Sequence, residues 1–263
     1  MWHWLEAIFL GAIQGLTEFI PISSSGHLVI AQTFLSGASD HLFLEFINIG
    51  TLAALLVFFR KKIAAIALQV VLSRDYKLAR NIIITALPAG LVGFLLAGFI
   101  GSAAFFSSAV VVVVMLALVG VVMVLLEKIP KLSTVEDGAK LSVGRAAVIG
   151  VAQVLALIPG TSRSGSTIIA GRLMGLAPAQ AAEYSFLASL PLMAGVTLKV
   201  VLTNTNYMLE HAGTLIVSNL AAFIFGLFAV GFLMRYLSRN SLAVFGWYRI
   251  GLAVVAGLVL FLL

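Results

Sequence analysis

Residues 14–27, which read QGLTEFIPISSSGH, place several groups capable of acid–base chemistry inside an otherwise apolar stretch. Gln14 and Glu18 are four residues apart, so on a helix their side chains lie on one face, one turn above the other. Oxygen ligands in this arrangement can hold a hard cation, and the carboxylate of Glu18 is the stronger ligand of the two. Gln14 and Glu18 are therefore a pair that can hold a cation.

Three serines and a glycine come shortly after Pro21, the residue that ends this predicted helix. They can cap a second helix, whose free backbone N–H groups and positive dipole end favour an anion such as phosphate. His27 follows directly, within reach of the same point. The roles we predict here are phosphate binding for Ser23, Ser25 and Gly26, and catalysis for Glu18, Ser24 and His27.

A second stretch, PGTSRSGST at residues 159–167, has the same design with an arginine at its centre. Its glycine-rich break and helix start again favour an anion. Arg163 is suited to bidentate contact with phosphate oxygens, so we predict a catalytic role for it. The predicted phosphate-binding residues of this stretch are Ser162, Ser164, Gly165 and Thr167.

Each feature also has an ordinary structural explanation. Serines at a helix start are commonly caps, a glutamine and a glutamate at helical spacing commonly share a hydrogen bond, and His27 can be a satisfied polar residue of the interior. The composition of the chain decides between these explanations, because it indicates that the helices lie in a lipid membrane. Hydrophobic residues make up 62% of the 263 positions, charged residues make up 10%, and the mean hydropathy is +1.15, which is typical of an integral membrane protein. Ionisable groups at membrane depth are costly and by default functional.

The basic residues give the predicted orientation. No Lys or Arg precedes Arg60, and 12 of the 16 Lys and Arg residues gather around three loops. The loop residues are Arg60, Lys61, Lys62, Arg74, Lys77 and Arg80; Lys128, Lys131, Lys140 and Arg145; and Arg235 and Arg239. By the positive-inside rule these loops are cytoplasmic. Each cluster lies beside an apolar span, so the pattern favours membrane topology over a nucleic-acid-binding face, and we expect no nucleic acid partner.

These loops order six predicted spans: Leu42 to Phe59, Asn81 to Ile100, Ala109 to Leu126, Tyr184 to Leu202, Gly213 to Met234 and Ser241 to Leu263. Both termini then lie outside. Residues 4–37 and 146–176 remain, and each must enter and leave the membrane on one side. A helix, a break rich in Pro, Ser and Gly, and a second short helix are typical of a re-entrant hairpin. The first hairpin is predicted to enter from outside and the second from the cytoplasm.

The two hairpins also resemble each other. When Gly11 is set on Gly150, the aligned pairs include Gln14 with Gln153, Ser23 with Ser162, Ser25 with Ser164 and Gly26 with Gly165. Chance similarity between two apolar segments is the alternative, but the independent topology favours a duplication. We therefore predict a single all-α membrane domain with an inverted-topology repeat, in which residues 1–126 and 127–263 each hold one hairpin and three spans. Sites in such folds form at mid-membrane where broken helices meet.

The residues quoted above also carry a family resemblance. QGLTEFIPISSSGHL resembles the first signature of the bacterial undecaprenyl-pyrophosphate phosphatases of the bacitracin-resistance type, and PGTSRSGSTIIAGRLMGL resembles the second. AAEYSFLASLP, at residues 181–191, extends the similarity. In the family a Gly-Leu-x-Arg pattern commonly follows the second signature, whereas residues 175–178 here read Gly-Leu-Ala-Pro and lack that Arg; Pro178 suits the first turn of a helix.

The resemblance implies an enzyme of the bacterial plasma membrane that hydrolyses undecaprenyl diphosphate to undecaprenyl phosphate and inorganic phosphate. This reaction recycles the lipid carrier of peptidoglycan synthesis and confers resistance to bacitracin. It also implies a divalent cation, Mg²⁺ or Ca²⁺, whose candidate seat is Glu18 with Gln14. A polyprenyl tail can stay among the membrane lipids while its diphosphate enters a polar pocket between the hairpins.

Two mechanisms stay open. In one, His27 or Glu18 removes the proton of Ser24, which attacks phosphorus and forms a phosphoserine. In the other, His27 attacks directly. In both, Arg163, the two helix starts and the cation neutralise charge on the transferred phosphoryl group. The topology predicts that this chemistry faces the exterior or periplasm.

The competing class is an inverted-repeat transporter or flippase of a polyprenyl phosphate, which would need a phosphate-binding centre but no nucleophile. Glycine-rich spans permit close helix packing, either within one chain or in a homodimer. Arg249, which follows Trp247 and Tyr248, is predicted to snorkel to the cytoplasmic interface.

Overall fold

The computed structural model describes residues 2–33, 35, 41–129, 133–135 and 137–262, and in these residues it contains α-helices, short 3₁₀ turns and one isolated β-bridge. Lys131 and the last residues of the predicted first hairpin lie outside this range. The helices are α1 (Trp2–Phe19), α2 (Ser24–Thr33), α3 (His41–Phe46), α4 (Asn48–Phe58), α5 (Arg60–Leu72), α6 (Lys77–Leu95), α7 (Ala97–Ser102), α8 (Ala109–Leu126), α9 (Val143–Val154), α10 (Arg163–Leu173), α11 (Pro178–Thr203), α12 (Thr205–Glu210), α13 (Ala212–Leu237) and α14 (Ala243–Leu262).

Within the described residues, six segments are long and apolar enough to cross a membrane: His41–Phe58, Lys77–Leu95, Ala109–Leu126, Pro178–Thr203, Ala212–Leu237 and Ala243–Leu260. Each one overlaps a predicted span, so the prediction of a six-span, all-α membrane protein is confirmed. The first span consists of α3 and α4 in succession. The direction in which each segment crosses stays a prediction.

The two remaining segments are helices interrupted by breaks. Helix α1 ends at Phe19 and α2 begins at Ser24, while α9 ends at Val154 and α10 begins at Arg163. Helix α1 has 18 residues, as many as α8, but it is less apolar because it contains Gln14 and Glu18. The predicted helix–break–helix pattern is therefore present at both positions.

The main helix contacts join the two halves of the chain, because helices of one half pack on helices of the other. Helix α1 packs most extensively along α13, and α9 packs along α6, so the first helix of each hairpin lies on the middle span of the other half. In the same way α4 packs on α13 and α11 on α6, while the last spans, α8 and α14, pack on each other. This exchange is what two halves related by a two-fold axis produce. The inverted orientation of the halves stays a prediction.

The glycines that set the internal alignment lie at equivalent helix contacts. A Cβ atom on Gly11 would lie 2.1 Å from the carbonyl oxygen of Ser218 on α13. A Cβ atom on Gly150 would lie 2.8 Å from the carbonyl oxygen of Thr85 on α6. Each hairpin helix thus approaches its partner span so closely that only glycine fits, which explains why the sequence repeats glycine here.

The basic loops pack at the ends of the spans. Helix α5 occupies the first basic loop and has no buried residue, and Lys62 Nζ forms a salt bridge with Glu183 Oε1 at 2.8 Å. Arg172 Nη2 lies 3.6 Å from Glu127 Oε2, which ties α10 to the end of α8. Pro178 is the first residue of α11, as the sequence predicted.

Candidate active site

The helix starts of α2 and α10 have the same local structure. Ser23 and Ser162, which are aligned in the internal repeat, both have φ of 74°, a conformation uncommon for residues other than glycine. The hydroxyl of Ser23 accepts from the Gly26 N–H at 3.4 Å, and the hydroxyl of Ser162 accepts from the Gly165 N–H at 3.1 Å. Both serines are therefore N-caps, and this strained geometry lies where functional strain is often stored.

In each helix start, the serine two residues after the cap lies beside it. The hydroxyls of Ser23 and Ser25 are 3.2 Å apart, and those of Ser162 and Ser164 are 3.1 Å apart. Ser164 is also joined to the first hairpin, because its hydroxyl donates to the backbone carbonyl of Glu18 at 3.2 Å. The start of α10 is thus in direct contact with the end of α1, which precedes the first break.

Glu18, at the end of α1, receives one side chain from each helix start. Its Oε2 atom accepts from the Ser24 hydroxyl at 2.6 Å, and its Oε1 atom accepts from Arg163 Nη2 at 2.6 Å. The ion pair is largely shielded, since the two side chains are 13% and 14% exposed. One carboxylate therefore joins a hydroxyl of the first hairpin to a guanidinium of the second.

Gln14 supports the carboxylate from one turn earlier in α1. The side chain is 2% exposed, and its Nε2 atom donates to Glu18 Oε2 at 3.1 Å and to Asn48 Oδ1 at 2.8 Å. Asn48 begins α4 and is a site residue that the sequence analysis missed. A polar side chain at the start of an apolar helix was the signal, but Asn is also a common helix-start residue.

His27 lies in the first turn of α2, but neither of its ring nitrogens bonds Ser24. Its Nδ1 atom lies 2.8 Å from the carbonyl oxygen of Ser23, and its Nε2 atom lies 2.7 Å from the hydroxyl of Tyr248. A carbonyl oxygen only accepts, so Nδ1 carries the proton and Nε2 accepts from Tyr248. The imidazole is therefore fixed at both nitrogens, and Tyr248 is a second residue that the sequence analysis missed.

Thr167 faces away from this centre. It is fully buried, and its hydroxyl donates to the carbonyl of Arg163 at 2.8 Å and shares a hydrogen bond with the hydroxyl of Ser185 on α11. The contact joins α10 to α11. The side chain of Thr167, which was predicted to bind phosphate, thus takes part in helix packing.

Arg163 retains a free donor in this site. Its Nη2 atom also donates to the sulfur of Met193 at 3.3 Å, and its Nη1 atom is buried without a hydrogen-bond partner within the described residues. An unpaired buried donor is costly, so it indicates a group that a ligand completes.

The prediction for Arg249 is wrong. This residue is fully buried, and its guanidinium donates to backbone carbonyls of both hairpin breaks, at Pro21, Gly160 and Thr161. The sequence analysis placed it near the end of a span. In the structure the carbonyls of the breaks, which have no helical partners, draw it into the interior.

These features define a class: a multi-pass helical membrane protein with a buried polar site where two broken helices meet. Comparison with known proteins specifies the family. Residues 7–255 match the family model described as bacitracin resistance protein BacA. The chain belongs to this family, and the resemblance noted from the sequence is confirmed.

Several curated relatives are similar over nearly the whole chain. The undecaprenyl-diphosphatase of Rubrobacter xylanophilus is 38% identical over 272 residues, covering 98% of each chain. The undecaprenyl-diphosphatase of Clavibacter michiganensis subsp. michiganensis is 38% identical, covering 96% of this chain and 95% of the relative. The undecaprenyl-diphosphatase of Enterococcus faecalis is 34% identical, covering 97% and 96%.

Proposed function

We propose that this protein hydrolyses undecaprenyl diphosphate to undecaprenyl phosphate and inorganic phosphate, and so recycles the lipid carrier of peptidoglycan synthesis. Bacitracin resistance follows from the same activity. The observation that carries the proposal is the contact of Glu18 with Ser24 and Arg163, each at 2.6 Å. The names of the relatives, undecaprenyl-diphosphatases of similar length, support the choice of substrate.

Ser24 is the proposed nucleophile and Glu18 its general base. A serine hydroxyl attacks phosphorus only when a base accepts its proton, and the base must lie within hydrogen-bond reach. Glu18 Oε2 meets this requirement at 2.6 Å. His27 is the weaker candidate for both base and nucleophile, because its nitrogens are held by the Ser23 carbonyl and the Tyr248 hydroxyl.

The proposed reaction has two steps. Ser24 Oγ forms a bond to the terminal phosphorus of the diphosphate, its proton passes to Glu18, and the bond from that phosphorus to the bridging oxygen breaks. Undecaprenyl phosphate leaves with the bridging oxygen. The proton on Glu18 passes to the leaving undecaprenyl phosphate, so Glu18 is again a carboxylate. In the second step Glu18 accepts a proton from water as the water oxygen bonds to phosphorus, the bond from phosphorus to Ser24 Oγ breaks, Oγ takes this proton from Glu18, and inorganic phosphate leaves.

The two helix starts and Arg163 bind the negative charge. Free N–H groups behind the Ser23 and Ser162 caps point out of α2 and α10, where phosphate oxygens are stabilised. The unpaired Nη1 of Arg163 supplies a further donor beside Glu18. Such preorganised donors stabilise charge that develops on the transferred phosphoryl group.

A divalent cation fits this site only if the substrate supplies part of its coordination. Within the described residues no three His, Cys, Asp or Glu side chains cluster as metal ligands, and Glu18 is the one carboxylate at the site. Mg²⁺ commonly binds through one or two carboxylates and substrate phosphates. We propose that Glu18 would hold Mg²⁺ or Ca²⁺ against the diphosphate, where the cation would neutralise phosphate charge. Gln14 presents its Nε2 atom to Glu18, so it orients the carboxylate and would become a ligand only if its amide turned over.

The placement in the cell is also a proposal. The basic loops support a plasma-membrane protein with both termini outside and with the site open to the exterior or periplasm. All site residues come from a single chain, so the proposed chemistry does not depend on a homodimer. The Ser24–Glu18 pair favours a hydrolase over a transporter, because transport requires no nucleophile with a base at 2.6 Å.

The test is phosphate release from undecaprenyl diphosphate by the purified protein in detergent, with Mg²⁺, with Ca²⁺ and with a chelator alone. We expect cation-dependent release, its loss in Ser24→Ala, and wild-type release in the control Ser238→Ala, whose hydroxyl bonds only the Arg235 carbonyl on the exposed surface. A folded wild-type protein that releases no phosphate under any condition would contradict the proposal and favour a transporter of a polyprenyl phosphate.

A further inference from the structure

Arg249 joins three backbone segments that are far apart in the sequence. Its Nη1 atom donates to the Pro21 carbonyl at 3.2 Å in the first break. Its Nη2 atom donates to the Gly160 and Thr161 carbonyls in the second break, at 2.6 Å and 3.2 Å. The remaining hydrogen bonds go to two carbonyls in the middle of α8, those of Met115 and Leu116.

These acceptors decide where the catalytic groups lie. The Pro21 carbonyl is three residues before Ser24, and the Thr161 carbonyl is two residues before Arg163. The guanidinium therefore fixes the two breaks relative to each other and to α8. Ser24 and Arg163 each reach one oxygen of the Glu18 carboxylate, and this requires the two breaks to lie close to each other, as Arg249 holds them.

The partner groups of Arg249 suggest more than structural support. The three guanidinium nitrogens bond five carbonyl oxygens, one from Nε, one from Nη1 and three from Nη2, and within the described residues no carboxylate pairs with this side chain. Its positive charge is therefore left to act on the anion site between the breaks. A lysine would keep the charge but could not hold three segments at once.

Tyr248, the preceding residue on α14, holds His27. Its hydroxyl lies 2.7 Å from His27 Nε2, and the two rings are stacked with centroids 5.7 Å apart and planes inclined by 5°. With Nδ1 bonded to the Ser23 carbonyl, the imidazole has one orientation and one tautomer. Neighbouring residues of α14 thus fix the first helix start from two sides.

We propose that Tyr248 and Arg249 are positioning residues of the active site: Arg249 holds the two hairpin breaks in register at Glu18, and Tyr248 holds His27 against the start of α2. The inference rests on the proposed hydrolysis of undecaprenyl diphosphate. It adds that helix α14, in the second half of the chain, aligns the catalytic groups. Neither residue touches the reacting atoms in this proposal.

The experiment measures kcat and KM for undecaprenyl diphosphate, together with thermal unfolding, in Tyr248→Phe and Arg249→Lys. Tyr248→Phe keeps the ring and removes one hydrogen bond, so we expect kcat to fall about tenfold with KM within about twofold of wild type. Arg249→Lys keeps the charge and loses the three-segment contact, so we expect kcat to fall about 100-fold.

Matched controls separate positioning from loss of stability. Tyr236→Phe changes a tyrosine on α13 that stacks on Phe232, away from the site. Arg172→Lys changes a buried arginine that bonds Ser133 and the Leu176 carbonyl. We expect Arg172→Lys to lower the unfolding temperature while kcat of the folded protein stays at the wild-type value, and Tyr236→Phe to change neither.

The outcomes are distinguishable. An inactive wild-type protein would contradict the proposed function itself. An active wild type with unchanged kcat in Tyr248→Phe and Arg249→Lys would overturn only the positioning proposal. If Arg249→Lys does not fold while Arg172→Lys does, Arg249 is a requirement of the fold and its part of the proposal is overturned, leaving Tyr248→Phe to decide the other part.

Discussion

Ser24 and Arg163 occupy equivalent positions in the two hairpins, and each donates a hydrogen bond of 2.6 Å to a different oxygen of Glu18. The caps before them, Ser23 and Ser162, have the same φ and bond the same N–H position. The two halves therefore share a backbone design and differ at the residue that follows the cap. One half supplies a hydroxyl that can act as a nucleophile, and the other supplies a cation for phosphate.

Glu18→Gln should remove the base while preserving the shape of the site. An amide does not accept the Ser24 proton, so we expect kcat for undecaprenyl diphosphate to fall by about 1,000-fold. The measurement is steady-state phosphate release at a fixed cation concentration. Glu183→Gln is the control, because this carboxylate pairs with Lys62 in a basic loop and should leave kcat unchanged. Activity of Glu18→Gln within tenfold of wild type would rule out Glu18 as the base.

The sequence predicted the spans because hydropathy and charge are local properties. Helices α8 and α13 overlap their predicted ranges almost completely, and the Pro and Gly breaks predicted both interruptions between helices. The repeated Ser-x-Ser-Gly pattern likewise predicted two helix starts with serine caps, which the structure contains. These features depend on residues a few positions apart.

Contacts between residues that are far apart in the chain could not be predicted from the sequence. Arg249 was assigned to an interface because a single arginine near aromatic residues is typical of a snorkelling side chain. Its actual partners in the breaks are 88 to 228 residues away, and only the packing of α14 on α8 reveals them. Asn48 and Tyr248 were missed for the same reason, since each matters through one hydrogen bond to a residue on another helix.

A covalent intermediate should form on Ser24. Rapid quenching of a reaction with substrate labelled in its terminal phosphate should leave the label on a peptide containing residues 23–27, in acid-stable form, because phosphoserine survives acid. Phosphohistidine survives alkali instead. Label on the His27 nitrogen would exclude Ser24 as the nucleophile, and Ser24→Ala should abolish labelling in either quench.

Arg163→Lys should weaken both binding and catalysis. A lysine ammonium can pair with Glu18 or with a phosphate oxygen, whereas the guanidinium bonds Glu18 through Nη2 and keeps Nη1 for the ligand. We expect kcat/KM to fall by about 100-fold, in the range seen when one preorganised donor is removed. Arg239→Lys in the third basic loop is the matched control. A wild-type kcat/KM in Arg163→Lys would show that only the charge matters.

The second break should tolerate no side chain at Gly160. This residue has φ of 85°, and a Cβ atom would lie 2.5 Å from the carbonyl oxygen of Val112 on α8. The left-handed conformation alone costs about 1 kcal/mol for a residue with a Cβ atom, and the clash adds to it. Gly160→Ala should therefore lower the unfolding temperature measured by tryptophan fluorescence.

Gly98→Ala is the matched control, because Gly98 is helical and its Cβ would meet no atom within 4 Å. Alanine there should keep or slightly raise the unfolding temperature, since it restricts the unfolded chain. Because the Gly160 carbonyl also accepts the shortest hydrogen bond of Arg249, at 2.6 Å, the shift forced by Gly160→Ala should move the second break away from Glu18. Phosphate release per folded molecule should then fall in Gly160→Ala and stay at the wild-type value in Gly98→Ala. Equal stability and activity of the two variants would contradict the close contact of the second break with α8.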